Sequence, residues 1–265
     1  MSRDNLQGNA SREEAAQIKN RGAVVAGQGE PPAAFMMKVD LHCHSEASHD
    51  CITPITAIPQ QCQTEGIWVQ AITDHDQIWG AQQLQALVQN EALPYLTVIV
   101  GEEISTAEGE IIGLFLQQKI EPGLTPEETV RQIKAQNGLV LLPHGFDPLK
   151  RHRLQPAARE RIKEAIDIIE TFNARISRPH WNRVAVTWCE EHDTLMSAGS
   201  DAHRLVDIGA AWVEVPRQPI TGPADLLRAL EGGVPVGNWT HPVQAFFLKT
   251  WERWRRRLAP RHQER

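Results

Sequence analysis

The stretch VDLHCHSEASHD, residues 39–50, closes a short apolar run on two histidines spaced two apart. Alternate residues of a strand share a face, so His42 and His44 are expected to point the same way from one strand end. The pattern recurs along the chain. AITDHD (71–76) carries His75, VIVGEE (98–103) ends on Glu103, LLPH (141–144) on His144, and SAGSDAH (197–203) supplies Asp201 and His203. Strands are expected near 38–41, 67–72, 96–100, 110–116, 139–142, 166–171, 194–198 and 210–215. Amphipathic helices are expected near 54–65, 79–90, 126–136, 157–164, 179–191 and 223–231. Such alternation argues for βα units around a mostly parallel sheet. In a β/α barrel the strand C-termini open onto one face, which gathers side chains that are far apart in sequence. Imidazole and carboxylate donors converging there suit divalent Mn, Fe or Zn, and a carboxylate such as Glu103 can bridge two ions.

The bulk properties agree with one catalytic domain. The chain has 265 residues, 41% hydrophobic and 23% charged, enough for one sizeable core and far from the composition of a disordered chain. A formal net charge of -6 argues against stable duplex nucleic-acid binding through a broad basic face. No apolar run approaches the roughly 18 residues of a transmembrane segment. The cysteines, Cys43, Cys51, Cys62 and Cys189, form no C-x-x-C pair, which fits reduced thiols and a cytoplasmic location. Residues 1–35 read as a polar, disordered leader, with a short helix near 11–19 as the competing expectation. Residues 36–237 read as the barrel. Residues 238–265 read as a C-terminal helical extension whose arginines flank apolar groups, packed on the barrel or touching acidic lipid or RNA.

The segments DLHCHSEASHD, ITDHD, GEEISTAEGEIIGLFL, PHGFDP, IETFNAR and SAGSDAH, taken in this order, resemble the motifs of the PHP (polymerase and histidinol phosphatase) domain family, in particular its free-standing phosphoesterases. The resemblance runs from about Lys38 to Gly237. It implies a distorted seven-stranded, TIM-like β/α barrel holding two or three divalent ions. Carried over by position, it implies that His42, His44, Glu103 and Asp201 surround one ion. Glu103 would bridge to a second ion held by His144, and Asp50, His75 and His203 would hold a third. Relatives place a histidine shortly after the glutamate; here that stretch reads Glu110-Ile111-Ile112-Gly113, leaving the second ion one protein ligand short. His49 competes with Asp50, and Asp40 and Asp74 are expected to orient ligand imidazoles. Glu170 is a candidate for the pocket lining.

Clustered divalent ions activate water and neutralise phosphoryl oxygens, so hydrolysis of a phosphoester is the natural chemistry. The expected substrate is a nucleotide, a short oligonucleotide or another small phosphomonoester. Asp76 or His203 would move the leaving-group proton, and nothing in the sequence chooses between them. The stretch Lys150-Arg-His-Arg153, Arg175, Arg178 and Arg204 follow strand ends, and of these Arg151, Arg175, Arg178 and Arg204, with Asn173, are the candidates for gripping substrate. Each of these cations has a plainer explanation as a solvated loop charge. The other functions that the sequence allows are an amidohydrolase-type hydrolase and a noncatalytic metal-binding barrel. Against the first, no lysine sits at a strand end ready for carboxylation. Against the second, a nearly complete set of buried ligands is costly without ions.

Overall fold

Proline marks where most of the helices start. It falls in the first turn of α1 (Ile58–Glu65), α3 (Pro126–Ala135), α4 (Pro156–Ile162), α5 (Pro179–His192) and α6 (Pro223–Glu231), where its missing N–H breaks no helical bond. The start of α3 is also capped: the Thr125 side chain accepts from Glu128 N at 3.2 Å. α2 (Trp79–Asn90) starts without either device and is fixed by its buried face, Ala81, Leu84 and Val88.

The computed structural model describes residues 36–240. The strands are β1 (Met36–Asp40), β2 (Ile67–Ile72), β3 (Thr97–Thr106), β4 (Gly109–Leu114), β5 (Leu139–Leu142), β6 (Ile168–Asn173), β7 (Leu195–Gly199), β8 (Ala211–Pro216) and β9 (Val234–Gly237). They form one sheet in the order β7-β6-β5-β4-β3-β2-β1-β8-β9. Two expectations need correction. The sheet has nine strands rather than seven, because β8 and the unforeseen β9 extend it beyond β1. It is also mixed: β3–β4, β4–β5, β1–β8 and β8–β9 pair antiparallel. Ala107 and Glu108 alone join β3 to β4, a link far too short for a parallel crossover, and Gly109 takes the turn at φ +123°.

Alternation along the strands feeds two apolar layers. Ile72, Val100, Ile111, Val140, Leu142 and Ile169 pack with residues of α1 to α5, whereas Val69, Ile99, Ile112, Leu141, Ile168 and Val213 face the other side with Leu226 and Leu230 of α6. Past Asp40 the chain leaves β8 and pairs with the end of β7 and the residues beyond it. Leu41 N donates to Ala198 O (3.3 Å), Asp201 N to His42 O (2.8 Å) and His44 N to Ala202 O (3.0 Å), with a bridge between Cys43 and Ala202. The sheet is thereby rolled nearly shut, and His42 and His44 come to lie beside Asp201 and His203.

The expected leader, residues 1–35, and residues 241–265 of the expected extension lie outside the described residues. Asn238 to Thr240 are not helical; Asn238 N donates to Ala210 O (2.7 Å) and Thr240 N to Ala174 O (2.8 Å). No helix among the described residues is long and apolar enough to cross a membrane.

Candidate metal centre

Glu103, 1% exposed on β3, is the hub of the rim. Its Oε2 lies 3.1 Å from His42 Nε2, 3.3 Å from His44 Nε2 and 3.4 Å from His75 Nδ1, and its Oε1 lies 3.0 Å from His144 Nε2. Asp201 Oδ1 is 3.6 Å from His44 Nε2, and Asp50 Oδ2 is 2.9 Å from His203 Nε2. All eight residues expected as ligands therefore meet at one end of the sheet. His49 is exposed and meets the cluster only through its ring, 5.5 Å from that of His75, whereas Asp50 Oδ2 reaches His203 Nε2, so Asp50 occupies the inward position of that pair. Two of the gathered residues, His144 (φ 31°) and Asp201 (φ 49°), hold a left-handed backbone that residues other than glycine rarely adopt, as is common where side chains are aimed for function.

The donor set fits divalent cations. Four overlapping triads have donor atoms within 4.8 Å of one another: His44–His75–His203, His42–His144–Asp201, His42–His44–Glu103 and His75–Glu103–Glu110. With imidazole and carboxylate donors at about 2.0–2.2 Å from an ion, neighbouring donors stand roughly 3–3.5 Å apart, as they do around Glu103. The proton inventory makes the same demand. His42 Nδ1 donates to Glu170 Oε1 at 3.0 Å, so in the neutral ring a bare Nε2 lone pair faces Glu103 Oε2 and, at 3.2 Å, His44 Nε2. Only a cation or an added proton relieves that opposition. Burial works against a charged His42, but Glu103, Glu170 and Asp201 outweigh it and hold its imidazolium form well above the usual histidine range. Burial likewise opposes charge on His44, yet Asp201 and Glu103 push its pKa up to about 9. Metal binding would displace those protons.

The groups behind the cluster differ from expectation. Asp40 and Asp74 do not touch the imidazoles. Asp40 accepts from His42 N (3.2 Å) and from Ser200 N and Oγ (3.1 and 2.6 Å), while Asp74 accepts from Ser45 N and Oγ (2.6 and 2.7 Å), so both fix backbone. The ring of His42 is instead oriented by Glu170, whose Oε2 also takes the backbone N–H of His144 at 2.7 Å. His44 Nδ1 meets Ser48 Oγ at 3.1 Å. Asn173 is buried and spends its amide on Glu170 Oε2 (3.0 Å) and Asp201 Oδ2 (3.3 Å), a bracing position rather than a substrate-facing one. Asp76 accepts from Ser105 N and Oγ (2.8 and 2.9 Å), so both its oxygens are engaged.

The expected cations separate. Arg175 reaches the centre: its Nη1 donates to Asp201 O (3.0 Å) and Oδ1 (3.3 Å) and touches His203 Nδ1. Arg204 is only 9% exposed and is paired with Asp207, Nε to Oδ2 at 2.8 Å. Arg178 is exposed at the N-cap of α5. Arg151 is also exposed and lines a cavity of about 240 Å³ together with Thr106, Glu108, Glu110, Arg153 and Gln155.

Glu110 joins the rim near where the resemblance leaves the second ion one protein ligand short. It is 6% exposed, with Oε1 3.6 Å from His75 Nδ1 and Oε2 3.9 Å from His144 Nε2. Burial and the neighbouring Glu103 push its pKa up to about 10. Ile111 and Ile112 are fully buried in the two apolar layers and stand away from the rim. Because β4 runs antiparallel to β3, its N-terminal end, and Glu110 with it, comes to the rim where the parallel strands present their C-termini.

A sheet rolled nearly into a barrel, with four imidazoles around one buried glutamate at its rim, has the architecture of a metal-dependent hydrolase. The model of the PHP domain matches residues 40–150, and that of the PHP-associated region matches residues 179–235. An uncharacterized protein of Methanocaldococcus jannaschii is 34% identical over 194 residues, 72% of this chain and 75% of the relative. The chain belongs to the PHP family. A 3',5'-nucleoside bisphosphate phosphatase of Chromobacterium violaceum is 27% identical over 180 residues, which span 66% of this chain and 51% of that protein. In fold, the chain is similar to a two-domain protein from Bacteroides vulgatus containing a predicted PHP-like metal-dependent phosphoesterase, with a TM-score of 0.60 at 17% identity over 81% of this chain and 70% of the other.

Proposed function

We propose that this protein hydrolyses the phosphoester of a nucleotide, a short oligonucleotide or another small phosphomonoester, using divalent Mn, Fe or Zn. The observation that carries the proposal is Glu103, whose two carboxylate oxygens are shared among His42, His44, His75 and His144. His42, His44, Glu103 and Asp201 would hold one ion, Glu103 with His144 and Glu110 a second, and Asp50, His75 and His203 a third. Bound there, such ions supply an acidified water and neutralise charge on the phosphoryl oxygens. Glu170 keeps the His42 Nδ1 proton in place and leaves Nε2 to coordinate. Arg175, at the edge of the cluster, faces the incoming phosphoryl group. Asp76 or His203 would pass a proton to the leaving oxygen: both oxygens of Asp76 accept from Ser105, and His203 meets Asp50 through Nε2 and Asp201 O through Nδ1. Support for a nucleotide substrate comes from the Chromobacterium violaceum relative, whose name specifies a nucleoside bisphosphate.

The test is metal content by elemental analysis, coupled to phosphate release from a panel of nucleotides and short oligonucleotides with Mn, Zn or Fe supplied. Two or more ions per chain with chelator-sensitive release is the expected result. Metal without release from any phosphoester would overturn the proposal.

Glu110→Gln addresses the second ion separately. The amide keeps the shape but loses the charge, so affinity for one ion should fall by about 10-fold or more, at least the loss typical of removing a supporting group. Titration calorimetry should resolve the change as one weakened site among unchanged ones; an identical isotherm would remove Glu110 from the ligand set.

A further inference from the structure

Asp147 is a fully buried carboxylate between two loops, with no assigned role so far. It sits in the turn after His144, and every hydrogen bond of its side chain fastens backbone or a hydroxyl near a cation. Its Oδ1 accepts from Leu149 N (2.9 Å) and Ser177 Oγ (2.7 Å), and its Oδ2 accepts from Ser177 N (2.7 Å). Its own carbonyl accepts from Lys150 N at 3.1 Å. One carboxylate therefore pins the loop after β5, which carries Lys150, to the loop after β6, which carries Arg175.

Both cations converge on Asp201, and they divide it. Lys150 Nζ lies 2.7 Å from Oδ2, whereas Arg175 Nη1 lies 3.3 Å from Oδ1, the oxygen that faces the imidazoles. Each cationic side chain retains 24% exposure, while Asp201 retains 4%. Two positive groups thus stand between a buried carboxylate at the metal centre and solvent, each with N–H donors to spare. A phosphomonoester brings about two negative charges and three free oxygens; a diester brings one charge and two free oxygens.

We propose that Lys150 and Arg175 form a paired grip for a terminal, dianionic phosphoryl group, and that Asp147 is the positioning residue that sets their spacing. This rests on the phosphoesterase proposal and narrows it to monoesters over diesters. Lys150 touches the substrate in this arrangement; Asp147 acts only through the two loops.

The experiment compares wild type, Lys150→Met, Asp147→Asn and the double variant, all metal-loaded and checked for equal metal content. Inorganic phosphate is titrated into each by calorimetry, and hydrolysis of p-nitrophenyl phosphate is compared with that of bis-p-nitrophenyl phosphate. Loss of one charge-assisted contact should weaken phosphate binding about 10- to 100-fold and raise KM for the monoester by a similar factor. The diester KM should move less than about 3-fold, as expected for a contact with a charge the diester lacks. Asp147→Asn should reproduce the monoester KM effect, and the double variant should be no worse than the poorer single one, as residues acting through one contact are non-additive. Should Asp147→Asn not fold, Ser177→Ala removes one bond to the same carboxylate and should shift phosphate binding in the same direction.

Unchanged phosphate affinity in Lys150→Met, or equal losses on both esters, would overturn the grip. Full additivity of the two substitutions would overturn the positioning role of Asp147. Phosphate release by wild type with unaffected variants sinks the grip alone, whereas phosphate held through Lys150 without any turnover of either ester sinks the phosphoesterase proposal alone.

Discussion

The double substitution His42→Ala/His44→Ala is expected to lose at least one bound ion and to reduce phosphate release by roughly 1,000-fold or more, since the ions contribute several kcal/mol of transition-state stabilisation. Both imidazoles face the same Glu103 oxygen, at 3.1 and 3.3 Å, so removing them opens one coordination sphere on a single side. The thermal behaviour separates loss of a ligand from loss of the fold. In metal-free protein the carboxylates of Glu103, Glu170 and Asp201 outweigh burial and hold both rings protonated at neutral pH. Their removal leaves those buried carboxylates without cationic partners and should therefore lower the metal-free melting temperature at neutral pH as well. Wild type should gain about 2.7 kcal/mol when metal is supplied at a hundred times its dissociation constant, and the variant should gain correspondingly less. Calorimetric melts with and without metal read this directly. Retained turnover at full metal content would sink the assignment of these residues as ligands.

Much of this centre could be read from the chain because its residues follow apolar runs. VDLHCH, VIVGEE and LLPH announce a strand and its functional end together, and the structure brings His42, Glu103 and His144 to one rim. Four things stayed hidden for different physical reasons. Glu110 lies at the beginning of an antiparallel strand, so a rule built on strand C-termini passes it by; the two-residue Ala107-Glu108 link was the available sign that the chain reverses. Glu170 in IIETFN is expected only to line the pocket, and the fold shows that it serves His42 and His144 at once. Asp40 and Asp74 stand next to ligand strands, which made them plausible partners for imidazoles, yet the serines Ser200 and Ser45 reach them first. Strand β9 escaped because VPVG is short, contains proline and lies at the sheet edge, where proline is tolerated.

Gly199→Ala should disable the centre without replacing any ligand. β7 ends at this residue, and a Cβ built there overlaps both His42 Cβ and Glu170 Oε1. Neither neighbour has room to yield: His42 is fixed by backbone pairing with Asp201 and by its ring contact to Glu170, and Glu170 also holds His144 N at 2.7 Å. Overpacking of this kind costs about 1–3 kcal/mol. The larger consequence is functional. Displacing Glu170 frees the His42 ring to rotate and removes the acceptor for its Nδ1 proton, a change that typically weakens metal binding by about 10- to 100-fold. The measured outcome should be a modest drop in the metal-free melting temperature together with a disproportionate loss of metal affinity and of phosphate release. Glu170→Gln keeps the volume but weakens the acceptor, so it should reproduce the metal defect while sparing most of the stability. If Gly199→Ala binds metal like wild type, the backbone at the end of β7 must give way, and the close packing of strand end, carboxylate and imidazole is not what holds His42 in its coordinating position.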